Sequence, residues 1–140
     1  LNRLGYQLCS FHCADDKGRP IYHTNVMMSV GTTVAVVSLE AIPDANERRN
    51  LVETLSKSHE IIDITSQQVN QFCGNVLELK GIKDGKERKL MLMSTKAFNA
   101  FTKEQKDKML KHVDELVHAD LDTIETIGGG GARCMMGELF

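Results

Sequence analysis

The sequence has no surplus of positive charge: 17 Lys and Arg stand against 19 Asp and Glu, a formal net charge of -2 at pH 7. Little is left over to neutralise phosphates, which argues against nucleic acid as a partner. Long apolar runs are missing too. The longest are a few residues, such as Val34 to Val37, against the roughly 20 that a membrane helix needs. Neither a membrane span nor a secretory leader is expected. Cysteine is sparse, and Cys9, Cys13, Cys73 and Cys134 are too scattered for a disulfide framework. Reduced thiols in a cytoplasmic protein are the simpler reading. The chain opens on Leu1 rather than on methionine, so the expectation is a processed chain or the tail of a longer one. What is present is 140 residues, 41% hydrophobic and 26% charged, enough for one domain with a core and too apolar for wholesale disorder.

The order of elements reads as mixed α/β. Tyr6 to Cys13 has the residue types of a strand, followed by the polar turn Asp15 to Pro20. Val26 to Val30 and Thr33 to Leu39 are β-rich and separated by Gly31-Thr32, the pattern of a hairpin. Asp44 and Glu47 have capping spacing ahead of a helix that carries Leu51, Val52 and Leu55 on one face. Ile61 to Ile64 is the next strand. Thr65 with Gln68 predicts a second cap and a short helix through Phe72. Val76 to Ile82 and Lys89 to Met93 form a second hairpin around Asp84-Gly85. Thr102 with Gln105 opens a helix with Met109, Leu110 and Val113 on its apolar face. Leu116 to Ala119 and Arg133 to Phe140 are read as closing strands.

Two stretches therefore share the order hairpin, helix, strand, and their residues echo one another. Tyr22-His23-Thr24-Asn25-Val26-Met27 parallels Phe72-Cys73-Gly74-Asn75-Val76-Leu77. Val37-Ser38 parallels Met93-Ser94, and Glu60-Ile61-Ile62 parallels Glu115-Leu116-Val117. A period of this size points to a repeated ββαβ unit of the kind that builds rings or stacks. Two such units do not close a ring, and the flanking strands look like pieces of neighbouring units.

Chemistry concentrates at Gly128-Gly129-Gly130-Gly131-Ala132-Arg133-Cys134. Four glycines strip the β-carbons from a loop, so a ligand can approach its backbone. A cysteine beside an arginine at the end of that loop stands where a thiolate is favoured, and the thiolate is the nucleophile. The residues alone equally describe a flexible linker followed by a buried cysteine in a strand. His23, opening a strand after a turn, is the best proton carrier to pair with it. His59 and His112 at helix ends and His118 in a strand are weaker candidates. Cys9, His12 and Cys13 gather three zinc-type ligands, but a strand turns His12 away from both cysteines and nothing completes a fourth position. No Lys-Ser or Lys-Thr follows the glycines, so they do not spell a phosphate loop. The pairs Met27-Met28 and Met135-Met136 read as core filler.

The motifs at 22–27, 72–79 and Ile-Gly-Gly-Gly-Gly-Ala-Arg-Cys-Met at 127–135 resemble the C-terminal half of the guanidine-modifying enzymes. That superfamily comprises arginine deiminases, dimethylarginine hydrolases and amidinotransferases, and the bacterial amidinotransferase-like or citrulline hydrolase branch looks most similar. The resemblance implies a pentein α/β-propeller, five ββαβ units around a central channel. Residues 1–140 would then be the C-terminal part of one catalytic domain, holding about two units and the flanking strands of an incomplete ring. It implies that Cys134 is the nucleophile and His23 the catalytic histidine, with Asn25 and Gly131 bordering the substrate. The deiminases carry an aspartate two residues after that histidine. Asn25 stands there instead, a neutral amide suited better to a ureido group such as that of citrulline than to a guanidinium.

The expected activity is hydrolysis at the guanidino or ureido carbon of an arginine-like amino acid, with no metal or organic cofactor. An amidinotransferase would use the same cysteine and histidine. A third reading makes the chain catalytically silent alone, either a fragment or a chain that works only by pairing with a missing N-terminal half; the partners expected besides the substrate are that half or further copies in a homo-oligomer.

Overall fold

The computed structural model describes residues 4–137, without the side chain of Lys83. Two three-stranded sheets carry the fold, and they have the same topology. In the first, β1 (Met28–Val30) pairs antiparallel with β2 (Val34–Val37), and β2 pairs parallel with β3 (Glu60–Asp63). In the second, β4 (Leu77–Lys83) pairs antiparallel with β5 (Lys86–Ser94), and β5 parallel with β6 (Glu115–Ala119). Each parallel pair is joined by a helical crossover, as parallel strands require. The repeat read from the sequence is therefore a repeat of structure.

Local chemistry sets the element ends. The turn between β4 and β5 places Asp84 and Gly85 at φ of 54° and 72°, the paired left-handed residues of a tight hairpin. In the first crossover, the Asp44 side chain accepts from the amides of Asn46 and Glu47 and starts α2 (Ala45–Leu55). The carboxylate of Glu47 does not reach back to the cap. It takes the backbone amide and ring of His12 instead. Thr65 with Gln68 and Thr102 with Gln105 form complete capping boxes for α3 (Ser66–Val69) and α5 (Lys103–Met109).

The core explains the order of the residues on β2. Val34 and Val36 join Ile62, Ile64, Val76, Met91, Met93 and Met109 in a cluster shared by both units. Ala35 and Val37 face the other way, onto Ala41, Ile42, Leu51 and Leu55 of the first crossover. A strand covered on both faces needs an unbroken apolar run, and Val34–Val37 is that run. Across the units, Ser29 Oγ donates to the Val76 carbonyl at 2.7 Å. A β-carbon at Gly74 would run into the Val26 carbonyl, so glycine is what lets the two backbones meet there.

Several expectations fail. Tyr6 to Cys13 is no strand. Only the isolated bridge Ala14–Pro20 forms nearby, because no described strand offers that segment a ladder. Residues 24–27 wind into one helical turn, α1 (Thr24–Met27), before β1 begins. Leu110 is exposed rather than on the apolar face. Ser94 caps a helix the pattern did not suggest, α4 (Thr95–Ala100). The stretch before the glycines forms another, α6 (Asp122–Gly128). Arg133 to Gly137 is no strand either: Ala132–Met135 is a 3-10 turn, while residues 138–140 lie outside the described part. Met135 and Met136 are exposed, whereas Met27 and Met28 are core.

Candidate active site

Cys134 is exposed, so it is not the buried strand cysteine of the alternative reading. Its place is set by the glycines, each in a different way. Gly128 ends α6, and Gly129 is its left-handed cap at φ 69°. A β-carbon at Gly130 would sit 3.0 Å from Cys134 Cβ. One at Gly131 would sit 2.8 Å from Asn75 Oδ1 and 3.2 Å from Phe72 Cδ1. The loop packs tightly onto the second unit and onto its own cysteine. It is not a free linker.

Two asparagines converge on the sulfur. Asn75 Nδ2 donates to Cys134 Sγ at 3.1 Å and to the Asn25 carbonyl at 3.0 Å, while Asn75 Oδ1 accepts from the Arg133 amide at 3.1 Å. Asn25 Nδ2 points at the same sulfur from 3.7 Å. Asn25 and Asn75 are the matching positions of the two repeats, so both units aim an amide at one thiol. Asn75 is buried. The sequence reading named Asn25 and passed over Asn75, although the repeat alignment placed the two side by side.

His23 opens α1 as its N-terminal cap, with an exposed side chain, rather than opening a strand. It lines a cavity of about 410 Å³ with Asp15, Tyr22, Val26, Val69 and Phe72. Its imidazole makes no hydrogen bond to Cys134 among the described residues. Two features connect them. Asn25 follows His23 by two residues and reaches the sulfur, and Phe72 walls the cavity while its ring backs onto Gly131. Phe72 has φ 64°, uncommon for a bulky residue, in the turn after α3 where the Cys73 amide donates back to the Gln68 carbonyl at 3.0 Å. A larger cavity, about 660 Å³ between Ile82, Arg88 and Asp114, holds none of these groups.

The remaining cysteines are occupied elsewhere. Burial pushes the Cys73 thiol up to about 12, and its Sγ donates to the Ala97 carbonyl. Burial also raises Cys13, whose Sγ faces the Ile21 carbonyl. Cys9 Sγ accepts from Asn50 Nδ2, so Cys9, His12 and Cys13 turn to three different partners. His59, His112 and His118 are bound to Ser58, Glu60 and Thr95 respectively.

A family model of the eukaryotic N,N dimethylarginine dimethylhydrolases matches residues 1–140. The chain belongs to that family. The dimethylarginine dimethylhydrolases are of pentein type, as the motifs implied. The structure of ArgZ without ligand, an arginine dihydrolase from the ornithine-ammonia cycle in cyanobacteria, matches with a TM-score of 0.57 at 15% identity. The match covers 87% of this chain and 16% of that one, and it shows a shared mixed α/β fold. Among curated proteins none matches. No helix of the described residues is long and apolar enough to cross a membrane.

Proposed function

We propose that this chain carries the nucleophile and the proton carrier of an enzyme that hydrolyses a C–N bond at the guanidino or ureido carbon of an arginine-like amino acid. The observation that carries the reading is the exposed Cys134 sulfur, presented by a glycine loop and faced by an amide from each repeat. The family it belongs to, and the arginine dihydrolase that shares its fold, support the substrate class. In this reading the two ββαβ units are two blades of a five-unit ring.

The Cys134 thiolate attacks the planar carbon, forming the C–S bond and a tetrahedral adduct. His23 gives a proton to the departing nitrogen as the C–N bond breaks, leaving a thiouronium from a guanidine or a thiocarbamate from a urea. The neutral imidazole then takes a proton from water, whose oxygen adds to the same carbon. That proton restores the imidazolium, and expulsion of sulfur from the second tetrahedral adduct restores the thiolate and frees the product. Phe72 and the loop at Gly131 wall the substrate between the two groups. Asn25, a neutral amide beside the sulfur, suits an uncharged ureido oxygen better than a cationic group, and this favours citrulline over arginine. These residues serve an amidinotransferase equally well, with an amine in place of water. Supplying citrulline, arginine, and arginine plus glycine to the intact enzyme separates the two. Ornithine and ammonia from citrulline alone mean hydrolysis. Cys134→Ala should abolish turnover and the covalent adduct, and retained turnover would sink the assignment.

A further inference from the structure

We infer that Asn75 is a catalytic residue, the hydrogen-bond donor that holds the Cys134 sulfur as a thiolate and fixes its direction. The inference rests on Cys134 being the nucleophile and adds a residue to that site. The orientation of the Asn75 amide follows from its neighbours. The Arg133 amide can only donate, so the group facing it must be Oδ1. The Asn25 carbonyl can only accept, so the group facing it must be Nδ2. The flip ambiguity of an asparagine is thereby removed. Nδ2 has two hydrogens: one goes to the Asn25 carbonyl at 3.0 Å, and the other is left for Sγ at 3.1 Å.

Burial gives this donor its weight. Asn75 is 4% exposed, so water does not compete for its amide, whereas Cys134, the residue it addresses, is exposed. A donor fixed on sulfur is a strong partner for a thiolate and a weak one for a thiol, and it therefore favours the charged form. Besides the sulfur, the Asn75 side chain hydrogen-bonds two chain atoms that set the site: the Asn25 carbonyl in the first unit, and the amide of the residue before the nucleophile. A β-carbon at Gly131 would sit 2.8 Å from Asn75 Oδ1, so glycine is what leaves room for this amide. Asn25 Nδ2, at 3.7 Å, is a secondary donor to the same atom.

The test is the alkylation of Cys134 by iodoacetamide in the 140-residue chain, followed by peptide mass spectrometry across pH 6 to 10. Asn75→Asp keeps the size and the acceptor facing Arg133 but replaces the donor with a negative oxygen. Alkylation of Cys134 at pH 7 should fall about tenfold or more, with the pH profile displaced upward by about one unit. Asn25→Ala should produce a smaller fall. Because the new carboxylate displaces the profile by its charge alone, Asn75→Leu, which removes the donor and adds no charge, is the deciding variant: its profile should move in the same direction, whereas a purely structural defect would change the rate without moving the profile. If Asn75→Leu does not fold, the wild-type chain decides: Cys134 should alkylate faster in the native state than in urea at the same pH. An unmoved profile in Asn75→Leu, or slower alkylation in the native wild type than in urea, overturns the inference. Turnover surviving Cys134→Ala would instead overturn the proposed function, so the two failures are distinct.

Discussion

Lys96 Nζ lies 3.5 Å from Glu125 Oε2 and 3.0 Å from Asp122 Oδ1, tying α4 to the helix that launches the glycine loop. The Glu125 side chain is wholly buried, and among the described residues neither of its oxygens has a hydrogen-bond donor. Lys96 is thus its nearest compensation, and the lysine is itself held protonated by Asp122 and Glu125. Removing one partner of a buried pair strands the other charge, while removing both does not. Lys96→Met should lower the urea midpoint, and Lys96→Met with Glu125→Leu should recover most of the loss. Additive losses in the double variant would contradict the pairing.

The four consecutive glycines should respond very differently to alanine. At Gly128 a β-carbon meets only Ile124 Cγ2 at 3.9 Å, so alanine in this helical position should stabilise by up to about 1 kcal/mol. At Gly131 it collides with Asn75 and Phe72, which should cost about 1–3 kcal/mol and slow Cys134 alkylation. Urea melts of the two variants check this. Equal behaviour would mean the loop is slack.

Cys73 and Cys134 should differ sharply as nucleophiles. Cys73 is buried, with its thiol raised to about 12, while Cys134 is exposed. Iodoacetamide at pH 8 should label Cys134 and spare Cys73 in the native chain, and label both in urea. Native labelling of Cys73 would contradict the packing described.

Acid should weaken the fold through its paired carboxylates. The hydrogen bond from His112 holds Glu60 below the usual carboxylate range. Backbone amides do the same for Asp15, Asp44, Glu47 and Asp114. A carboxyl depressed on folding stabilises above its unfolded value, about 4, and that contribution is lost as pH falls through the folded one. The urea midpoint should fall progressively below about pH 4.5. A midpoint unchanged down to pH 3 would contradict this.

The repeat, both hairpins and the side-chain caps from Asp44, Thr65 and Thr102 were legible because each rests on local spacing. What was illegible depended on partners distant in sequence. The segment at Tyr6 has strand residues but no strand beside it. No element is read from the sequence over Asp122–Gly128, because that helix is short and is anchored from a distance, by the ion pair with Lys96. Cys134 was legible as a candidate from the loop before it, but Asn75 was not. Its role appears only once the Arg133 amide, the Asn25 carbonyl and the sulfur meet around one side chain.

The central claim is that Cys134 is the atom that bonds to substrate carbon. Intact-mass and peptide mass spectrometry of the enzyme quenched in acid during turnover of citrulline, and separately of arginine, tests it most directly. The account predicts an adduct of the substrate's carbon unit on the peptide holding Cys134, and its disappearance in Cys134→Ala together with turnover. Turnover with no adduct on Cys134, or with the adduct on another residue, would contradict it.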